Sequence, residues 1–183
     1  AYVVAGLLPD VASSLGTRGA DVGLSVAAFT GYYAVSGTLL AGRAGQRSRR
    51  SLVTALLVFT IANLITALSP TIGVFLATRI VAGAAAGVYS PLSSAVASEV
   101  VDQQRRGRAV AMVLAGLAVG TVFGVPIGLF LARLWGWRAA ILLIVTIGCA
   151  ALAGITLRGG ELPSIPASSA ADRLRSLTSP RNL

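Results

Sequence analysis

The feature that most constrains this chain is a succession of apolar stretches, joined by separators too short to fold on their own. They run over residues 1–9, 21–41, 51–69, 72–97, 109–132 and 139–157. A helix that spans a bilayer needs ~20 apolar residues, because 1.5 Å of rise per residue has to cover about 30 Å of hydrocarbon. The last five stretches reach that length and the first does not. The expected fold is all-α and integral to the membrane: a six-helix bundle over residues 1–158 whose first helix is truncated. Residues 1–8 carry neither the basic start nor the cleavage site of a signal peptide, so they read as the remnant of a span.

Composition points the same way. Of 183 residues, 55% are hydrophobic and 11% charged, with a mean hydropathy of +0.82; a soluble domain is about 25% charged. There is too little charge here to wet a surface. The net charge of +9 comes from 15 basic residues, every one an arginine, set in short clusters between apolar runs. No aromatic-studded basic face accompanies them, so no nucleic-acid partner is expected. One cysteine, Cys149, lies inside an apolar run and histidine is absent. That excludes a disulfide framework and a histidine-based metal or catalytic site. With no paired carboxylates inside the spans either, the chain is not expected to be an enzyme or to hold a metal.

The arginines also give an orientation. Arg43, Arg47, Arg49 and Arg50 follow the second stretch, Arg105, Arg106 and Arg108 the fourth, and Arg158, Arg173, Arg175 and Arg181 the sixth, whereas the opposite side holds Arg18, Arg133 and Arg138. Cytoplasmic loops carry the excess of basic residues. Both ends are therefore expected in the cytoplasm, on a multi-pass protein of the cell inner membrane or plasma membrane. Residues 159–183, with Gly159, Gly160, Pro163 and Pro166, read as a cytoplasmic linker in which 171–177 form a short amphipathic turn.

Three patterns inside this frame carry candidate chemistry. Gly116, Gly120, Gly124 and Gly128 recur every four residues with Pro126 among them. This makes a small-residue groove for close helix approach, with a bend where proline removes a backbone bond, unless it serves only generic packing. Arg79 lies about a third of the way along the fourth stretch, where a charge costs ~2.5 kcal/mol or more to insert. Steps of three and four residues lead from it to Gly83, Gly87, Ser90 and Ser94, a small and polar stripe expected to face a cavity. The alternative is a structural arginine reaching toward the outer surface. The Gly42–Arg50 turn is dense with guanidinium groups that can bind helix C-termini, acids or lipid phosphates, or simply mark the cytoplasmic side. Tyr32, Tyr33, Asn63, Tyr89 and Ser90 are further polar groups within spans; Tyr32 and Tyr89 are the candidates for substrate contact.

Taken in this order, these features resemble the N-terminal six helices of the major facilitator superfamily, and within it the proton-coupled exporters of the arabinose-efflux and chloramphenicol-resistance kind. Gly6-Leu7-Leu8-Pro9-Asp10 resembles the end of that group's first helix. Arg79 with Gly83 and Gly87 resembles its fourth-helix arginine motif, Gly124-Val125-Pro126-Ile127-Gly128 its antiporter motif, and Gly136-Trp137-Arg138 the turn before the sixth helix. Arg43, Gly45 and Arg47 fit the cytoplasmic loop motif, although Gly42 stands where that motif has an aspartate and Thr38 at its leading glycine.

The resemblance implies a secondary active transporter that exports a drug-like compound or sugar by proton antiport. It implies no cofactor; the partners would be a small-molecule substrate, protons, the lipid bilayer and a C-terminal six-helix half. Arg79 would couple protons by acting on a partner carboxylate. Gly116, Gly120, Gly124, Pro126 and Gly128 would form a rocking helix contact, and Arg43, Gly45 and Arg47 a cytoplasmic latch. An acid that many such exporters carry in the first helix would precede Ala1. The competing reading is a self-contained six-helix channel or membrane subunit, with the glycine stripe as an oligomer interface.

Overall fold

The structure, a computed structural model, describes residues 2–40 and 48–157. Every element among them is helical: α1 (Tyr2–Gly6), α2 (Leu8–Leu15), α3 (Gly19–Leu39), α4 (Ser48–Ala67), α5 (Ile72–Glu99), a 3-10 turn (Gln103–Arg105), α6 (Arg106–Val122), α7 (Gly124–Trp135) and α8 (Trp137–Leu157). Among the described residues five spans are long and apolar enough to cross a membrane, with α6 and α7 counted as one. Residues 41–47 and 158–183, which hold Arg43, Gly45, Arg47 and the expected linker, lie outside the described residues.

The first span extends further than the sequence indicates. Helix resumes at Leu8 after a single turn residue and continues to Leu15, with Pro9 in the first turn of α2. Proline is tolerated there because first-turn N–H groups have no intrahelical partner to lose. The stop comes at Gly16, whose φ of 62° is the left-handed conformation that ends many helices. Thr71 opens α5, its hydroxyl accepting from the Val74 N–H. Gly136, at φ 82°, makes the joint between α7 and α8.

The helices close around α5, which packs against α3 on one side and α4 on the other; α4 continues onto α8, and α8 onto α7. Glycine sets the approach. At Gly83 and Gly87 the α5 backbone meets the α3 backbone at Phe29 and Tyr33, and Gly148 of α8 receives the Thr60 side chain of α4. Small residues do this in membrane bundles because lipid tails give no hydrophobic drive for association, and contact must come from close packing. An apolar core joins the other ends of the spans, from Val4, Leu7 and Val11 to Phe75, Trp137 and Ile141. There Trp137 meets the Phe75 ring edge-on at 5.8 Å. Arg138 lies 4.4 Å over the Trp137 ring and donates to Ser14 Oγ at 3.3 Å and to the Ser69 carbonyl at 3.2 Å, tying α2, α8 and the joint between α4 and α5 together.

Candidate functional site

Arg79 is where the sequence concentrates its chemistry, and the structure buries it. The residue is 2% exposed. Two features of the sequence produce this. Gly83 and Gly87, one and two turns further along α5, let α3 close onto the stripe that carries Arg79. Asn63 and Thr66, three residues apart on α4, present two oxygens from the other side. Arg79 Nη2 donates to Asn63 Oδ1 at 2.7 Å and to Thr66 Oγ1 at 2.9 Å. The Phe29 and Phe75 rings each stand 5.9 Å from the guanidinium carbon, a geometry worth ~0.5–1 kcal/mol or more when desolvated.

The oxygens are themselves anchored. Asn63 Nδ2 donates to the Phe59 carbonyl at 2.7 Å, which turns Oδ1 toward the guanidinium. Thr66 Oγ1 lies 2.7 Å from the Ala62 carbonyl and 2.8 Å from Thr78 Oγ1, so its hydroxyl donates to one of them and accepts from Arg79. Arg79 Nε is buried without a partner among the described residues. Among the described spans Arg79 is thus packed in protein: Gly83 and Gly87 of its stripe meet α3, and its charge is solvated by neutral groups of α4. Asn63 was visible in the sequence as a polar group in a span. Thr66 and Thr78 carry no such signal in the sequence beyond position: Thr66 stands one turn from Asn63 and Thr78 is the neighbour of Arg79.

Further along the stripe the packing opens. Gly87, Ser90 and Ser94 line a cavity of about 400 Å³ with Tyr33 and Thr38. The two tyrosines singled out for substrate contact are not brought together. Tyr32 is 48% exposed and lines a separate groove of about 600 Å³ between α3, α4 and α5, with Arg50, Thr54 and Val81. Tyr89 is half-buried against Leu52, Leu92 and Val96.

The glycine stripe divides. Gly128 is buried, its open side 3.2 Å from a Val3 methyl. Gly116, Gly120 and Gly124 have nothing within 4 Å of the side on which a side chain would project, and α6 carries no buried residue. The described spans thus leave the close approach expected there unmade. The bend expected at Pro126 has its counterpart in the break between α6 and α7 at Phe123, three residues earlier. Proline at 126 leaves the Val122 carbonyl without its intrahelical donor. At the arginine-rich end, Arg49 Nη2 reaches the Ile155 and Thr156 carbonyls at 3.5 Å, the C-terminal turn of α8, as a cation at a helix C-terminus should.

The family model described as the Major Facilitator Superfamily matches residues 1–182. The chain is 34% identical over 170 residues to a chloramphenicol resistance protein of Streptomyces lividans, covering 92% of this chain and 42% of that protein. It is 30% identical over 148 residues to the uncharacterized MFS-type transporter YtbD of Bacillus subtilis strain 168, covering 80% of this chain and 37% of that one. The chain therefore spans about two fifths of the length of these curated relatives. Among solved structures, the inward-open conformation of the xylose transporter XylE from E. coli superposes with a TM-score of 0.76 at 18% identity, over 97% of this chain and 51% of that chain. That likeness shows the fold, which is half of the XylE architecture.

Proposed function

Because the chain belongs to the major facilitator superfamily, whose members are transporters rather than enzymes, we propose that it forms the N-terminal half of a secondary active exporter that exchanges a drug-like compound or sugar for protons. The observation that carries the direction is the 34% identity, over 92% of this chain, to a protein named for chloramphenicol resistance. Resistance by a membrane protein of this family is most simply achieved by pumping the compound out. Arg79 supports the coupling: a guanidinium keeps its proton at any working pH, so it acts as a fixed charge on a carboxylate elsewhere and carries no proton itself. The open face of α6 supports the second half, since Gly116, Gly120 and Gly124 are shaped for a helix that these spans do not supply. Tyr32 and Tyr89 are retained as substrate contacts, Gly128 and Pro126 as part of the rocking helix, and Arg43, Gly45 and Arg47 as the cytoplasmic latch.

The test is accumulation of chloramphenicol, fluorescent drugs and labelled sugars in cells with and without the full-length protein. Lower steady-state accumulation of at least one compound is expected, restored by a protonophore. Accumulation unaffected by the protein across the panel, or unaffected by the protonophore, would remove antiport.

The orientation proposed is cytoplasmic for the arginine-rich side and both ends, in the inner or plasma membrane. Reporter fusions after Arg50, Arg108 and Arg158 should report cytoplasm, and fusions at Arg18, Pro70 and Trp135 the outside. The reversed pattern would overturn the assignment.

A further inference from the structure

A charge buried in a span is ordinarily paired with an acid, and among the described residues Arg79 has none. Among the described residues the acids are Asp10 in α2, Asp21 in the first turn of α3, Glu99 at the end of α5 and Asp102 after it. The groups that face the guanidinium are Phe29 from α3, Asn63 and Thr66 from α4, and Phe75 from its own helix. None of them titrates. Among the described residues the cradle grips a single nitrogen, Nη2, by two bonds, and offers Nε no partner. Such an arrangement fixes where the cation sits without neutralising it.

We infer that Asn63 and Thr66 are positioning residues for the coupling step, holding Arg79 as an uncompensated charge that can respond to an acid from outside the cradle. The inference rests on the proton-coupled reading above. Asparagine matters because of what its near-isostere would do. An aspartate at 63 would put a carboxylate where Oδ1 now lies, 2.7 Å from Nη2, and answer the charge permanently. An opposite charge at that distance favours the ionised form of an acid by about 1–3 units of pH, so the pair would persist across the working range. Thr66 supplies the second bond, and its own tie to Thr78 and the Ala62 carbonyl keeps the hydroxyl lone pair turned to Arg79.

The experiment uses the full-length protein in energised inverted vesicles, with chloramphenicol and a fluorescent drug as probes. Rate is measured against pH for Asn63→Asp, Thr66→Val, Thr66→Ser and Arg79→Ala, alongside the amount of each protein in the membrane. Asn63→Asp is expected to accumulate normally, to lose gradient-driven transport by roughly tenfold or more, the factor that one unit of charge preference represents, and to show a flattened pH profile. Thr66→Val should flatten the profile too, and Thr66→Ser, which keeps the hydroxyl, should restore it. If Asn63→Asp fails to accumulate, the Thr66 pair decides alone. Wild-type rate and profile in Asn63→Asp and Thr66→Val, with Arg79→Ala impaired, would sink this inference and leave the coupling reading standing. A wild-type profile in Arg79→Ala would sink that reading, and the inference with it.

Discussion

Alanine at Gly83 or Gly87 is expected to disrupt assembly of the bundle, whereas leucine at Gly120 or Gly124 is expected to leave the described helices folded and stop transport. The two pairs look alike in sequence, as small residues four apart, and differ in what they meet. A methyl group on Gly83 would fall 2.9 Å from Phe29 Cα, and one on Gly87 2.9 Å from the Tyr33 carbonyl carbon. Those neighbours are backbone, which cannot swing aside as a side chain can. Overpacking typically costs about 1–3 kcal/mol and more when backbone must shift. The shift would also move Phe29 off the Arg79 guanidinium, so the defect reaches the candidate site. At Gly120 and Gly124 nothing lies within 4 Å, and leucine adds no polarity to a lipid-soluble helix. Only a helix from the rest of the protein would be obstructed. Thermal unfolding of the purified full-length variants, read beside their transport, checks both halves of the claim. An unchanged melting temperature in Gly83→Ala would contradict the α3–α5 contact, and full transport in both leucine variants would contradict a helix on α6.

How much of this was legible in the sequence follows from the range of the forces involved. Spans are set by local hydropathy over some twenty residues, and the later five lie close to their expected limits. The apolar pattern of the first stops at Pro9, yet that proline sits in the first turn of a new helix that runs to Leu15, after one turn residue at Leu7. That Arg79 needs protein around it was also legible, because an arginine exposed to hydrocarbon is costly wherever the other helices lie. Which helix face would supply the protein was not. The stripe from Arg79 to Ser94 reads the same in sequence along its length, yet it receives α3 at Gly83 and Gly87 and lines a cavity at Ser90 and Ser94; backbone approach makes that division. Likewise no spacing rule pairs Asn63 and Thr66 with an arginine on the next helix. Tyr32 and Tyr89 diverge for a related reason: residues that share polarity and depth need not share an azimuth around the bundle.

Arg79→Ala is expected to insert and fold, yet to lose gradient-driven export. Two opposing terms set its stability. Removing the guanidinium relieves the insertion cost of a buried cation, about 2.5–3.5 kcal/mol on biological scales. It also deprives Asn63 Oδ1 and Thr66 Oγ1 of their donor, and an unsatisfied buried acceptor costs roughly 1–3 kcal/mol. The terms nearly cancel, so the amount in the membrane should stay close to wild type. In the proposed antiport, coupling has no such compensation, because alanine would leave no fixed charge to act on a carboxylate as the helices move. Where the cation lies close, it keeps that acid ionised to lower pH; without it the acid stays protonated to higher pH. Any residual activity should therefore appear displaced upward by about 1–3 pH units. Arg79→Lys separates charge from shape: the ammonium can reach one of the two oxygens but lacks the planar fork, so partial activity with an altered pH profile is expected. Arg79→Gln keeps hydrogen bonds to the cradle without charge, and should behave as alanine does in transport. Rates against pH in energised vesicles distinguish these outcomes. Export by Arg79→Ala at the wild-type rate, with the wild-type profile, would make the arginine a structural residue.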